Sequence, residues 1–371
     1  MNYRAQTLEE IAKKGGTISS KNALVGFDGF VDKIIAVVDK RTGQGQAFSA
    51  IDTITEFANR IGAAAGRSTN IELFPRMEKL GGNGPIMANA LLSAGMGVKY
   101  IGALGEPSIH PVFAEFAAKT NAVTVCDPGV THALEFHDGK IMLGTMASLD
   151  LLTYPRIVQK MGEGAFLDAL SRADLIALVN WTMIPNMTSI YNDLLDRALP
   201  NYGPREAGRT FFFDLADPEK RPLSDIQTVL GILKRFRAHG QVILGLNLKE
   251  ALQVDAALGF SDPKTDPEGL KQMASRIRAA IDVTMVVIHP TDSAACATRD
   301  AAYWVQGSYC EKPLITTGAG DHFNAGFTTG AMLGMSPAAC LTLAVTYSGY
   351  YVRTAKSPSL GDAANFIRNW A

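Results

Sequence analysis

Cysteine, net charge and long apolar runs are all scarce in this sequence. The four cysteines are scattered along 371 residues without a C-x-x-C pair, which argues against disulfides or a structural zinc site and fits a reducing cytoplasm. A formal net charge of −1 gives no electrostatic reason to expect a nucleic acid or an anionic membrane as partner. No apolar run is long enough to span a bilayer, and the first residues lack a signal-peptide core. We therefore expect a cytoplasmic protein that does not enter membranes.

Apolar residues and glycine are abundant instead. Hydrophobic residues make up 47% of the chain, enough for a large core, and 35 glycines suit a fold with many strand-to-helix turns. From residue 164 onward, apolar strands alternate with helical segments, and the strands are continuous apolar runs. This pattern predicts an α/β fold in which a mostly parallel central sheet has helices on both faces.

Ligands of such sheets bind beyond the carboxyl ends of the strands. Several polar residues are predicted at or near these ends: Asn180, Asp214, Asn247, His289 and the loop at Gly318.

The segment Thr316–Gly326 follows an apolar run and opens a helical stretch. Amides at the start of a helix have no intrahelical acceptor, and the helix dipole adds partial positive charge there. We predict that this turn binds phosphate and that Asp321, kept ionised by the dipole, accepts a proton from an attacking hydroxyl. From the motif alone, a plain strand-to-helix turn is an open alternative. The predicted phosphate-binding residues are Gly318, Ala319 and Gly320.

Short β segments at about 30–50 and 123–145 do not fit the parallel sheet. We predict that they form a small lid over the substrate, within a single domain spanning residues 1–371. A lid suits phosphoryl transfer because water competes with the acceptor hydroxyl.

Asn247 and Glu250 follow an apolar strand and lie three residues apart on a predicted helix. An amide and a carboxylate there fit a water shell around Mg²⁺ beside nucleotide phosphates, so that Glu250 would contact the metal only through water. The same spacing is typical of a capping box, and one pair can do both. We also predict that Thr317 and His289 line the nucleotide site, with His289 as a polar neighbour rather than a ligand or a base.

The substrate side of the site is predicted from glycines and aspartates in the N-terminal half. The bare backbone at Gly82 and the amide of Asn83 suit a hydroxylated substrate, although Asn83 as a helix N-cap explains the same residues. Asp28 and Asp32 interrupt an apolar segment, where unpaired carboxylates are costly. They either face water on a turn or bind ligand hydroxyls.

Taken together, these motifs resemble the PfkB carbohydrate kinases, the ribokinase-like sugar and nucleoside kinases. The matching motifs are the segment Thr316–Gly326, the Gly81-Gly82-x-Gly84 helix start and Asn247-x-x-Glu250. The resemblance implies an ATP- and Mg²⁺-dependent kinase that phosphorylates a hydroxyl of a sugar or sugar-like molecule. It also implies that Asp321 is the base, and that the lid often forms a homodimer contact.

The chain departs from the family pattern at three places. Ile315 stands where the family usually has an aspartate of a monovalent-cation site, so we do not expect potassium activation. Ile86 replaces an asparagine that often contacts the sugar, and the segment Ile288–Asp292 replaces a Thr-x-Gly stretch of the nucleotide site. These departures indicate a divergent member. They leave open a catalytically silent binding protein, or a nucleoside kinase.

Overall fold

Two β-sheets of unequal size organise the computed structural model, which describes residues 3–201 and 208–370. The strands are β1 (Asn22–Phe27), β2 (Phe30–Arg41), β3 (Phe48–Ala50), β4 (Leu73–Gly81), β5 (Gly97–Ala103), β6 (Val123–Cys126), β7 (Gly129–Phe136), β8 (Gly139–Thr145), β9 (Leu175–Leu178), β10 (Thr210–Asp214), β11 (Gln241–Asn247), β12 (Met285–His289), β13 (Ser293–Ala297) and β14 (Ala302–Gln306).

Helices cover both faces of the larger sheet, and a further helix packs on the smaller sheet. They are α1 (Tyr3–Lys14), α2 (Ile54–Gly62), α3 (Asn83–Ser93), α4 (Ala114–Thr120), α5 (Tyr154–Met161), α6 (Glu163–Arg172), α7 (Met187–Asp193), α8 (Leu223–Leu233), α9 (Leu248–Ala257), α10 (Pro267–Ile281), α11 (Ala319–Met332), α12 (Pro337–Thr354) and α13 (Leu360–Asn369). In the described ranges, none of them has an apolar stretch long enough to cross a membrane.

The larger sheet runs in the order β14-β13-β12-β11-β10-β9-β1-β5-β6. Its strands are parallel from β12 to β6, and β13 near one edge is antiparallel to both of its neighbours, β12 and β14. The strand β10 contains Phe211, Phe212 and Phe213, all buried, because helices pack on both faces. One face carries α5 to α10, and the other carries α3, α4, α11 and α12. The predicted α/β class with a mostly parallel sheet is therefore confirmed.

The smaller sheet, which we call the lid, grows out of the larger one. Its order is β3-β2-β7-β8, with β4 also paired to β2. One face packs on α2 through Ile35, Phe57 and Leu134. The opposite face carries Asp32, and Asp32 aligns with Thr131 on β7. The lid thus has one structural face and one face that carries a buried carboxylate.

Two parts of the strand assignment differ from the sequence prediction. The segment 123–126, expected in the lid, is β6 and pairs in parallel with β5 at the edge of the larger sheet. A lid strand was also missed, because β4 has mostly exposed side chains and contains Pro75, which gave it no apolar pattern. The β13–β14 hairpin was not foreseen either, since its short apolar strands look alike whichever way they pair.

The chain passes from the large sheet to the lid at Gly29. A Cβ atom at this position would overlap the backbone carbonyl oxygen of Ala103 on β5. Overpacking usually costs about 1–3 kcal/mol. We predict that Gly29→Ala lowers the free energy of unfolding by more than this, because the new Cβ would overlap a backbone atom. Gly231→Ala is the control, since Gly231 is exposed on α8 with open space around it, and helix propensity predicts a gain of about 0.5–1 kcal/mol. Urea unfolding measures both, and equal stabilities would contradict the close approach at Gly29.

Candidate active site

The turn at Gly318 is the start of α11. Gly318 is the N-cap with φ of 92°, a left-handed conformation that glycine adopts without strain. A Cβ atom there would lie 3.1 Å from Cγ2 of Ile86 and 3.2 Å from Oη of Tyr351. The amide of Ala319 donates to the carbonyl of Thr316 at 3.1 Å. Of the predicted phosphate-binding amides, the Ala319 amide is therefore partly engaged within the turn itself.

Asp321 lies in the first turn of α11 and is 7% exposed. Asn83 donates from Nδ2 to its Oδ1 at 3.0 Å. Burial raises the pKa of Asp321 well above the usual range, and the negative charges of Asp28 and Glu250 raise it further, while the bond from Asn83 opposes the shift. Burial therefore opposes the ionised form of Asp321 that the sequence analysis attributed to the helix dipole.

Asp28 follows β1 and is fully buried. Its carboxylate accepts from the amides of Asn83 and Gly84, at 2.9 and 2.8 Å, and from Nδ2 of Asn180 at 2.7 Å. Burial raises the pKa of Asp28 to about 6. The geometry assigns Asp28 to holding the start of α3, instead of the ligand contact that the sequence suggested.

The N-cap of α3 is Gly82, with φ of 101°, and not Asn83 as the capping alternative assumed. Because Asp28 satisfies the first amides of α3, the side chain of Asn83 is released for Asp321. A Cβ atom on Gly82 would lie 3.1 Å from Oδ2 of Asp28, so the bare glycine permits this packing.

Asp32 lies on β2 at the base of the lid and is 6% exposed. A Cβ atom on Gly81 would lie 2.5 Å from its carboxylate, so Asp32 reaches directly over the glycine pair. Burial raises the pKa of Asp32, while the hydroxyl of Thr131 and the charges of Lys79 and Lys140 oppose the shift. Asp32, Gly82 and Asn83 are brought together on the same side of the site.

Asn247 and Glu250 form a capping box at the start of α9. Oδ1 of Asn247 accepts from the amide of Glu250, and Oε2 of Glu250 accepts from the amide of Asn247, both at 2.9 Å. Oε1 of Glu250 accepts from the amide of Asp217 at 3.0 Å. Burial raises the pKa of Glu250. Within the described ranges, no group of three or more His, Cys, Asp or Glu residues is arranged to hold a metal ion.

Asp214 is a buried carboxylate that the sequence placed at a strand end but did not assign to the site. It accepts from Nδ2 of Asn324 at 2.7 Å and from the amide of Ala216 at 2.9 Å. Its pKa is raised well above the usual range by burial, and then by the charges of Glu250 and Asp321. Asp214 could have been recognised in the sequence as the aspartate that directly follows the buried run Phe211–Phe213.

A cleft of about 540 Å³ opens beside the Gly318 turn. Its walls include Asn247, His289, Thr316, Ala319 and Gly320. The ring of His289 stacks on Phe323 at 4.4 Å, and burial lowers its pKa to about 4, so this imidazole is neutral near pH 7. Thr317 lies behind the turn, where its carbonyl accepts from Oη of Tyr351 at 3.1 Å. The structure thus places His289 on the cleft and turns the Thr317 carbonyl toward α12.

Comparison with known proteins identifies the family of this chain. The family model described as prokaryotic ketohexokinase matches residues 6–370. A ketohexokinase from Haloferax volcanii is 24% identical over 355 residues, which cover 95% of this chain and 92% of that protein.

Solved structures share the fold at low sequence identity. The fructokinase with bound ATP from Xylella fastidiosa has a TM-score of 0.63 at 14% identity, covering 94% of this chain and 98% of that one. The ribokinase of Arabidopsis thaliana complexed with ribose and ATP has a TM-score of 0.62 at 15% identity, covering 94% and 98%. Since the family model spans nearly the whole chain, this protein belongs to the prokaryotic ketohexokinase family and is a carbohydrate kinase with a ribokinase-like fold.

Proposed function

We propose that this kinase transfers the terminal phosphoryl group of ATP to a hydroxyl of a ketohexose, with Asp321 as general base. The observation that carries the proposal is the hydrogen bond between Asn83 and Asp321, which joins the substrate-side helix α3 to the phosphate-binding turn of α11. The ketohexose follows from the family and from the Haloferax volcanii relative. ATP as donor follows from the nucleotide bound to the fructokinase and ribokinase neighbours.

Asp321 suits a general base because it is buried near the start of α11. It stands one turn into α11, next to the amides of Gly318 and Gly320 that would hold the transferred phosphoryl group. A carboxylate with a raised pKa binds a proton more tightly than an exposed one, so it is a stronger acceptor once it is ionised. Phosphoryl transfer needs little covalent help, so positioning and electrostatics supply most of the rate enhancement.

The sugar would lie between the lid and α3. Asp32 from the lid would accept from its hydroxyls, and the bare backbone at Gly82 and the side chain of Asn83 would adjoin the sugar. Asp28 keeps the start of α3 in place behind them by accepting from the amides of Asn83 and Gly84. Closing the lid over this region would exclude water that competes for the phosphoryl group.

The cleft beside the Gly318 turn is the proposed nucleotide site. Its walls run from Gly320 and His289, next to the turn, to Tyr309 and Val352 farther along. Mg²⁺ prefers oxygen ligands and usually keeps several waters. The side-chain oxygens of Asn247, Glu250 and Asp214 already accept hydrogen bonds from backbone amides, so they would contact Mg²⁺ through its bound waters. When bound, Mg²⁺ would neutralise charge on the phosphate oxygens.

A coupled assay tests the proposal with the purified protein, ATP, Mg²⁺ and D-fructose, D-ribose or adenosine as acceptor. We expect turnover with fructose in preference to the others, and Asp321→Asn should lower kcat by roughly 10²–10⁴-fold, the usual contribution of a general base. ATP binding without turnover on any acceptor would favour a silent binding protein. A preference for adenosine would favour a nucleoside kinase.

Thermal unfolding separates loss of the base from loss of the fold in this variant. Because the pKa of Asp321 is raised on folding, its ionisation costs stability. The cost is absent below the ordinary aspartate pKa of about 4 and grows as pH rises through the folded value. Asp321→Asn should therefore be at least as stable as the parent protein, with a larger advantage at about pH 8 than at about pH 5. If Asp321→Asn is less stable than the parent protein, its low activity reflects damage to the fold and is not evidence for proton transfer by Asp321.

The hydrogen bond from Asn83 is expected to influence the acid limb of the pH profile of kcat/KM. This bond favours the ionised form of Asp321, so its removal in Asn83→Ala raises the pKa of the base. We expect the acid limb of kcat/KM to move to higher pH, with the largest loss of activity at low pH. Asn59→Ala, at an exposed position on α2, is the control. An unchanged limb would mean that Asp321 does not govern it.

We also propose that the lid contacts a second copy of this chain. Met77 and Met142 are 55% and 48% exposed and align with Ile34 and Ala133 in one row across the lid, on the face that carries Asp32. Sedimentation should show a dimer that Met142→Glu weakens, because the charge would be buried at the contact. Leu151→Glu, at an exposed position outside the lid, is the control. A monomeric parent protein would contradict the proposal.

A further inference from the structure

The back of the Gly318 turn, away from the nucleotide cleft, is held by side chains of α11 and α12. Nδ1 of His322 lies 2.7 Å from the carbonyl oxygen of Gly318. Oη of Tyr351 donates to the carbonyl oxygen of Thr317 at 3.1 Å. The two rings stack with centroids 3.6 Å apart and planes 15° apart, so they form one unit behind the turn.

The hydrogen bonds fix which nitrogen of His322 carries the proton. The carbonyl of Gly318 only accepts, so Nδ1 is the donor. Nε2 then accepts from the hydroxyl of Ser357, which lies 2.8 Å away in the loop between α12 and α13. Burial lowers the pKa of His322 to about 4, which is consistent with this neutral form at physiological pH. The chain of contacts runs from Ser357 through His322 to the turn.

Holding a carbonyl also orients the next amide. In a trans peptide the C=O of one residue and the N–H of the next point in opposite directions. Because Tyr351 holds the carbonyl of Thr317, the amide of Gly318 points away from the Tyr351 hydroxyl. The amide of Ala319 instead turns back to the carbonyl of Thr316. Ala319 and Gly320 line the cleft, and residues of α12 such as Ser348 and Val352 form another of its walls.

The peptides around Gly318 are held by neighbouring groups, since the amide of His322 donates to its carbonyl at 3.0 Å and Tyr351 binds the carbonyl of Thr317. Glycine adopts positive and negative φ with similar ease, so a turn built on it has no side chain of its own to choose one peptide orientation. The observed φ of 92° is maintained by contacts on both sides, with Ile86 and Tyr351 closing on the position from α3 and α12.

We propose that Tyr351 is a positioning residue that aims the amide of Gly318 at the phosphoryl group, and that His322, stacked on Tyr351 and bonded to Ser357, supports it. This inference rests on the proposed function of the turn. It assigns a role in turnover to side chains that touch neither sugar nor nucleotide in that scheme.

Tyr351→Phe is the main variant, because it keeps the ring stack and removes only the hydrogen bond to Thr317. We expect kcat with fructose to fall roughly 3- to 10-fold, the loss of one hydrogen bond, while KM for fructose stays within about twofold. Tyr350→Phe is the matched control, since Tyr350 is the preceding residue on α12 and packs against Phe366. Ser357→Ala should lower kcat in the same way, and the double variant should be non-additive because both act on one turn.

A second measurement tests anion binding at the Gly318 turn without a sugar acceptor. Orthovanadate added with ADP mimics the transferred phosphoryl group, so it should stabilise the parent protein against thermal unfolding beyond ADP alone. Tyr351→Phe should reduce the vanadate-dependent part and leave the ADP-dependent part unchanged. This arm stays informative if fructose is not the acceptor, so it separates failure of this inference from failure of the proposed function.

Several outcomes would overturn the inference. If Tyr351→Phe and Tyr350→Phe have the same kcat and the same vanadate response, the hydrogen bond of Tyr351 has no role in turnover and the ring stack only packs. A rise in KM for fructose at constant kcat would place Tyr351 in sugar binding instead. A parent protein without any vanadate response would remove the anion-binding turn on which the inference depends.

Discussion

The hydrogen bond between Asn83 and Asp321 is the contact on which the rest of the site depends. Asn83 begins α3, and Asp321 lies in the first turn of α11, so one bond joins two helix starts that are 238 positions apart in the chain. Asn83 is available only because Asp28 and Gly82 take over the capping of α3. The starts of α3 and α11, which the proposed mechanism assigns to the substrate and to the phosphate, are therefore joined by one local arrangement of buried polar groups.

Buried negative charge is the main energetic cost of this arrangement. Burial raises the pKa of Asp214, Glu250 and Asp321, and the charge of Glu250 raises the pKa of the other two further. Each also accepts hydrogen bonds, from Asn324 and from backbone amides or from Asn83, which limits the cost without removing it. A site of this kind favours ligands that bring positive charge or donors to the carboxylates.

The sequence allowed the local features of the site to be predicted and left the long-range contacts hidden. The Gly318 turn, the Asn247–Glu250 capping box and the apolar strands follow from residues close in sequence, so spacing alone revealed them. The burial that raises the pKa of Asp321 and the capping role of Asp28 depend on elements far apart in the chain. Strand β6 was misplaced for a related reason, because a four-residue apolar run does not indicate which sheet it joins.

The isoleucine at position 86 is explained by the same contacts. The PfkB resemblance places an asparagine there, whereas here the side chain packs against the Gly318 turn, with Cγ2 3.1 Å from where a Cβ on Gly318 would lie. Asn83, one turn earlier on α3, supplies the polar group that reaches Asp321. With Ile86 on one side and Tyr351 on the other, the turn is enclosed by packing on α3 and by a hydrogen bond from α12. Ile86 thus adds an apolar wall to the Gly318 turn, and the polar group that α3 brings to Asp321 comes from Asn83 instead.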